Sequence, residues 1–251
     1  MITDRVSVPE SHQKQFLERV WYIPDTRLCF SPPEKEWELT PTSLPALKNG
    51  HVTFACFQNS VKYNNAVFAA WSRILQEVPQ AKLILQNRQF NSLRIREQLR
   101  EQLILSGIRP DKVSLKKSVP RTEYLAAHAH IDIILDTFPF PGGTTTCEAL
   151  WMGVPTVTLA GNTMIARQGA SLLACAGLTD WVANDIEDYV AKTISHATDL
   201  KKLARLRGGL RQQVLASPLF DGSRFARNFE AALWSMWDCF EDSGVSKLNT
   251  D

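Results

Sequence analysis

Thirty consecutive residues constrain the fold of this chain more than any others. Residues 131 to 160 read IDIILDTFPFPGGTTTCEALWMGVPTVTLA: an apolar β-branched run, a turn rich in proline and glycine, a helix-forming stretch and a second apolar run. Ile131 to Leu135, ending in Asp136, suits a strand buried on both faces of a parallel sheet. From Phe138 to Gly143 the chain can continue neither strand nor helix, because two prolines remove donors and two glycines open left-handed backbone space. Thr144, Thr145 and Thr146 are each suited to cap a helix through Cys147 to Met152, which Gly153 and Pro155 stop. A strand, a glycine turn and a hydroxyl-rich helix start place free N–H groups and the positive end of a helix dipole at the carboxyl edge of a sheet, where anions bind. The natural anion is a phosphate, held by Thr144 and Thr145, with Glu148 one turn in to accept from ribose hydroxyls. The same residues also read as a plain capped helix whose dipole Glu148 offsets, since the stretch is neither G-x-G-x-x-G nor a P-loop.

The flanking sequence repeats this alternation. Strands are expected at 51–57, 81–86, 112–115, 131–136, 155–159 and 181–183, with helices at 64–77, 92–106, 122–129, through the 147–152 stretch, and at 164–175. That pattern predicts an α/β fold with a doubly wound parallel sheet, Rossmann-like, and helices on both faces. Three further helices are expected, 186–196, 198–215 and 223–240. Phe225, Phe229, Leu233, Met236, Trp237 and Phe240 recur at helical spacing in the last, as a core stripe would. Residues 1–48 carry prolines 9, 24, 32, 33, 41 and 45 and one helical stretch near 13–20, so they read as a lead-in rather than a domain. Residues 49–240 form the domain and 241–251 a tail.

Composition excludes several classes of function. A formal net charge of +2 on 251 residues gives no polyelectrolyte signal, so no nucleic-acid partner is expected; Arg94, Arg96 and Arg100 fit a solvated helix face. Five widely spaced cysteines suggest neither a disulfide framework nor a C-x-x-C site and fit a reducing cytoplasm. No apolar run approaches membrane-spanning length. With no Asp-x-Asp and no His/Cys cluster, neither a metal nor another cofactor is implied.

The run from Leu135 to Gly161, with Phe54 to Lys62, Gly161 to Arg167, Ser217 to Phe220 and Met236-Trp237, resembles the O-linked N-acetylglucosamine transferase family, including its Spindly-type branch. The resemblance covers roughly 45–240. It implies the carboxyl-terminal, donor-binding lobe of a B-type glycosyltransferase fold, with 1–48 as the end of a first lobe and its linker. It further implies a donor nucleotide sugar and Ser or Thr of an acceptor protein as partners.

Lys62 lies just past the first strand, where an ammonium can neutralise a departing diphosphate; it also reads as a solvated loop lysine. The resemblance makes it the catalytic lysine and Asn59 a neighbouring diphosphate contact. Arg121 and Tyr124 match the base-recognition loop, Tyr124 replacing a histidine of animal members. Gly143 stands where those members have histidine, as in Spindly-type proteins. Arg167 matches an arginine near the active site, and a structural ion pair serves it equally. His128 and His130 read as scaffold histidines. The expected function is transfer of N-acetylglucosamine from UDP-GlcNAc to protein. Transfer of fucose from GDP-fucose and a non-catalytic nucleotide- or partner-binding module are the alternatives. The chain by itself is expected to bind donor without transferring sugar, and to self-associate through the last helix.

Overall fold

The computed structural model describes residues 1–32 and 38–242. Pro33 of the lead-in and the tail from 243 lie outside the described residues. A two-stranded parallel pair, β1 (Ile2–Thr3) and β2 (Trp21–Tyr22), and a single turn, α1 (Ala46–Asn49), precede the main sheet. The sheet and its crossovers follow in strict alternation: β3 (Thr53–Cys56), α2 (Asn65–Glu77), β4 (Lys82–Gln86), α3 (Leu93–Leu105) and β5 (Val113–Lys116). Then come α4 (Arg121–Ala126), β6 (Ile133–Leu135), α5 (Thr144–Trp151), β7 (Thr156–Leu159), α6 (Gln168–Cys175) and β8 (Val182–Ala183). Helices α7 (Ile186–Thr198), α8 (Leu200–Leu215) and α9 (Gly222–Asp242) complete the described chain.

All six main strands are parallel, in the order β5-β4-β3-β6-β7-β8. The chain winds outward from β3 in one direction, then returns to its other side with β6, pairing Phe54 with Ile133 and Ala55 with Ile134. Between β3 and β6 the winding reverses, and such switch points leave a crevice at the carboxyl edge. Phe54, Ala55 and Cys56 are fully buried, as a central strand covered by helices on both faces requires. The helix α2 shows why the local sequence folds as it does. The Asn64 side chain accepts the Val67 amide at 3.0 Å to start it, and Val67, Phe68, Ala70, Trp71, Ile74 and Leu75 form its buried face.

The lead-in packs on this body. Thr26 Oγ1 and Ser171 Oγ share a hydrogen bond of 2.8 Å, and Arg224 grips Asp25 through two at 2.7 and 2.9 Å. Three expectations change. Of residues 13–20, the first three close a 3-10 turn at Glu10–Gln15 and the rest form no helix; Leu17 is wholly exposed and the segment has no apolar face to bury. None of the threonines caps α5; Gly143 is the N-cap without a side-chain bond, and all three threonines lie inside the first turn. The stripe on α9 is not core within this chain. Leu233, Trp237 and Phe240 are 45–52% exposed and only Ala232 of the helix is buried, because α9 packs chiefly on the 3-10 turn at Pro218–Phe220 that precedes it. Among the described residues, no helix is long and apolar enough to cross a membrane.

Candidate functional site

At the switch point, the loops after β3, β4, β5 and β6 enclose a cleft of about 630 Å3. Phe57, Asn59, Asn87, Arg121, Tyr124, Thr145 and Glu148 are among its walls.

One end is organised by Asp136, the residue just after β6, whose carboxylate is fully buried. Its Oδ1 accepts the amides of Gly142 at 2.7 Å and Thr137 at 2.9 Å, and its Oδ2 accepts the Thr158 hydroxyl at 2.8 Å. Burial nevertheless pushes the carboxyl up to about 6, against those donors and the nearby Lys62 ammonium. The turn is drawn in so tightly that a Cβ at Gly142 would fall on Gln58 and within 2.8 Å of Thr145 Oγ1, which leaves room only for glycine. Lys62 ends the 3-10 turn that follows β3. Its Nζ donates to Gln58 Oε1 and to the Pro141 carbonyl, both at 3.0 Å, and sits 4.0 Å from the centre of the Phe140 ring. Desolvation holds this ammonium below its usual range, while the Asp136 charge works in the opposite direction.

Glu148 organises the other end. It is 3% exposed, yet both oxygens face donors: Arg121 Nη1 at 2.7 Å and the Tyr124 hydroxyl at 2.9 Å. Helix α5 positions the carboxylate and α4 both donors, so the pair ties the two helix starts together. Tyr124 also packs at 5.4 Å on the Phe57 ring. Nearby, the side-chain amide groups of Gln86 and Asn87 donate to the carbonyls of Lys117 at 2.9 Å and Gln58 at 3.1 Å. Their buried oxygens, Gln86 Oε1 and Asn87 Oδ1, have no protein partner. Asn59 is exposed at the rim, its side chain accepting the Val61 amide at 3.0 Å.

The structure thus gathers Asn59, Arg121, Tyr124, Thr145 and Glu148 around one cleft. Lys62 lies beside its Thr145 end, and Gly143 and Thr144 open the adjoining helix. Arg167 is not brought there. Its guanidinium donates to the Val6 carbonyl at 2.6 Å and the Gly161 carbonyl at 3.2 Å, tying the lead-in to the domain. Its neighbour Gln168 reaches the turn instead, donating to the Gly142 carbonyl at 3.2 Å and filling the space a side chain at Gly143 would take. His128 is buried in the scaffold with Nδ1 3.1 Å from the Leu125 carbonyl, and desolvation lowers its pKa to about 4. Sequence reasoning missed Gln58, Asp136, Gln86 and Asn87. The available signal was position, since each follows or ends a strand at the carboxyl edge. Among the described residues, no group of three or more potential ligands is arranged to hold a metal.

Known proteins share this architecture. The model for glycosyl transferase family 41 matches residues 33–229. The probable UDP-N-acetylglucosamine–peptide N-acetylglucosaminyltransferase SPINDLY of Petunia hybrida is 38% identical over 98% of this chain, which corresponds to 26% of that protein. The Arabidopsis thaliana protein named SEC, with the same activity in its name, is 29% identical over 95% of this chain and 25% of its own. A mutant of the Thermobaculum terrenum O-GlcNAc transferase superposes with a TM-score of 0.86 at 33% identity, over 94% of this chain and 44% of that one. Sucrose-phosphate synthase of Thermosynechococcus elongatus shares the fold alone, with a TM-score of 0.59 at 15% identity over 95% of this chain and 58% of its own. The chain spans about a quarter of the length of its curated relatives. A parallel sheet of this order, a cleft at its switch point and a family match across most of the domain lead to one assignment: the chain belongs to glycosyl transferase family 41.

Proposed function

We propose that this chain is the donor-binding lobe of an inverting glycosyltransferase that moves N-acetylglucosamine from UDP-GlcNAc to Ser or Thr of proteins. The observation that carries the reading is the two-ended cleft. A carboxylate braced by Arg121 and Tyr124 suits a ribose at one end, and the Lys62, Thr145 and α5 start suit a diphosphate at the other. Catalysis on this side is electrostatic: Lys62 and the first amides of α5 stabilise the charge that develops on the departing diphosphate. The acceptor hydroxyl and the group that takes its proton come from outside this lobe. We read the exposed face of α9 as a surface for a first lobe or a second copy of the chain. Five free cysteines support a reducing, cytoplasmic setting. No metal or other cofactor enters this reading.

One observation favours a second donor, GDP-fucose. Gly143 stands at the start of α5 where animal members of the family have histidine, a departure shared with Spindly-type proteins, and this departure from the animal pattern is what favours it. Calorimetric titration of the chain with UDP, GDP, UDP-GlcNAc and GDP-fucose decides between them. Uridine nucleotides binding at least tenfold tighter support the first reading, and the reverse supports the second. Failure of all four to bind eliminates both.

A further inference from the structure

Gln58 is 4% exposed and makes more of the cleft's internal bonds than any residue predicted from sequence. Its Oε1 accepts from Lys62 Nζ at 3.0 Å, while its Nε2 donates to Thr145 Oγ1 at 2.7 Å and to Asp136 Oδ1 at 3.3 Å. An ammonium only donates and a carboxylate only accepts, so the amide has one allowed orientation between them. A side chain of this length that donates and accepts at once is an amide; glutamate cannot donate when ionised and leucine can do neither. The Thr145 hydroxyl, having accepted from Gln58, keeps its own proton, and no residue in the described structure accepts it. Thr145 lines the cleft, so this donor is available to a ligand.

Resting on the donor-site reading above, we infer that Gln58 is a positioning residue for the phosphate end of the cleft. Its amide steadies the Lys62 ammonium and leaves the Thr145 proton for the same anion, and Asp136 decides which way the amide points. The groups facing Asp136 are Lys62 from the turn after β3, Cys56 on β3 and Tyr189 on α7. Burial pushes the Cys56 thiol up to about 12 and the Tyr189 phenol well above its usual range, while the Asp136 carboxyl is pushed up to about 6.

The test uses the whole chain and compares nucleoside, monophosphate and diphosphate of whichever base binds. Gln58→Leu is expected to leave nucleoside affinity within about twofold and to lower diphosphate affinity about tenfold. Thr145→Val is expected to do the same. The double variant should be little worse than Gln58→Leu alone, because the Thr145 hydroxyl is aimed at the anion only while Gln58 donates to it. Multiplicative losses, or an unchanged ratio of diphosphate to nucleoside affinity in Gln58→Leu, would overturn the inference. If Gln58→Leu does not fold, Thr145→Val and the Gln58 side-chain amide resonances of wild type carry the test. Those resonances should shift with a midpoint near pH 6, and the shift should disappear in Asp136→Asn; resonances indifferent to pH and to that substitution would also overturn it. A wild-type chain that binds none of the nucleotides sinks the donor-site reading itself and takes the positioning role with it, whereas bound nucleotide with no Gln58 effect sinks the positioning role alone.

Discussion

The Glu148 carboxylate lies 2.7 Å from Arg121 Nη1, with the acid 3% exposed and the guanidinium about half exposed. A buried acid braced by an exposed base thus stands in the wall of the cleft. Replacing Glu148 by Ala removes the acceptor of both Arg121 and Tyr124 and is expected to weaken nucleotide binding by about 1 to 3 kcal/mol. Calorimetry with UDP and GDP measures this directly; affinities equal to wild type for both would remove Glu148 from the site.

Lys62 and Asp136 should titrate as neighbours. The Lys62 charge draws the Asp136 carboxyl down, although burial dominates and leaves it near 6. Lys62→Met is therefore expected to raise the Asp136 pKa further, read by carbon NMR of the carboxyl across pH 5 to 8. An unchanged or lowered midpoint would show that the two charges do not sense each other.

Two buried groups should oppose each other in acid. Asp136 rises from 3.8 to about 6, so between those values the native state holds a proton that the unfolded chain has released, and its contribution to stability falls as pH rises. His128 drops from 6.5 to about 4, so the unfolded chain holds the extra proton and its contribution falls as pH falls. Each contribution is about 3 kcal/mol, and the two largely cancel between pH 4 and 6.5. Urea denaturation should show Asp136→Asn losing stability on acidification and His128→Gln gaining it. Two variants that both track the wild-type curve would contradict the assignment.

Glycines in this chain should divide sharply by position. Gly142→Ala drives a methyl group onto Gln58 and Thr145, and is expected to cost about 1 to 3 kcal/mol of stability and to disturb nucleotide binding with it. Gly209 is exposed within α8 with nothing within 4 Å of an added Cβ, so Gly209→Ala should stabilise by about 0.5 to 1 kcal/mol. Thermal unfolding of the two variants orders them; equal shifts would mean that the turn around Gly142 relaxes freely.

The order of strands and helices was legible from residue 51 onward because it rests on local signals: β-branched runs, apolar faces at helical spacing, and caps such as Asn64. The position of Lys62 beyond β3 and of Glu148 one turn into α5 follows from the same local reading. Partner choice does not. Gln58 meets Asp136 across 78 positions of sequence because the parallel register brings the carboxyl ends of β3 and β6 together, and Arg121 meets Glu148 across 27 because α4 and α5 both start at that edge of the sheet. Arg167 shows the limit from the other side, since the family resemblance set it near the site with a structural role equally open, and its guanidinium meets the Val6 carbonyl in the packed lead-in. The apolar stripe of α9 was plain in the sequence, but whether it is covered depends on what the helix packs against, chiefly the turn at Pro218–Phe220. Periodicity records which face of an element is apolar; only the packed chain determines what that face, or a buried donor, will meet.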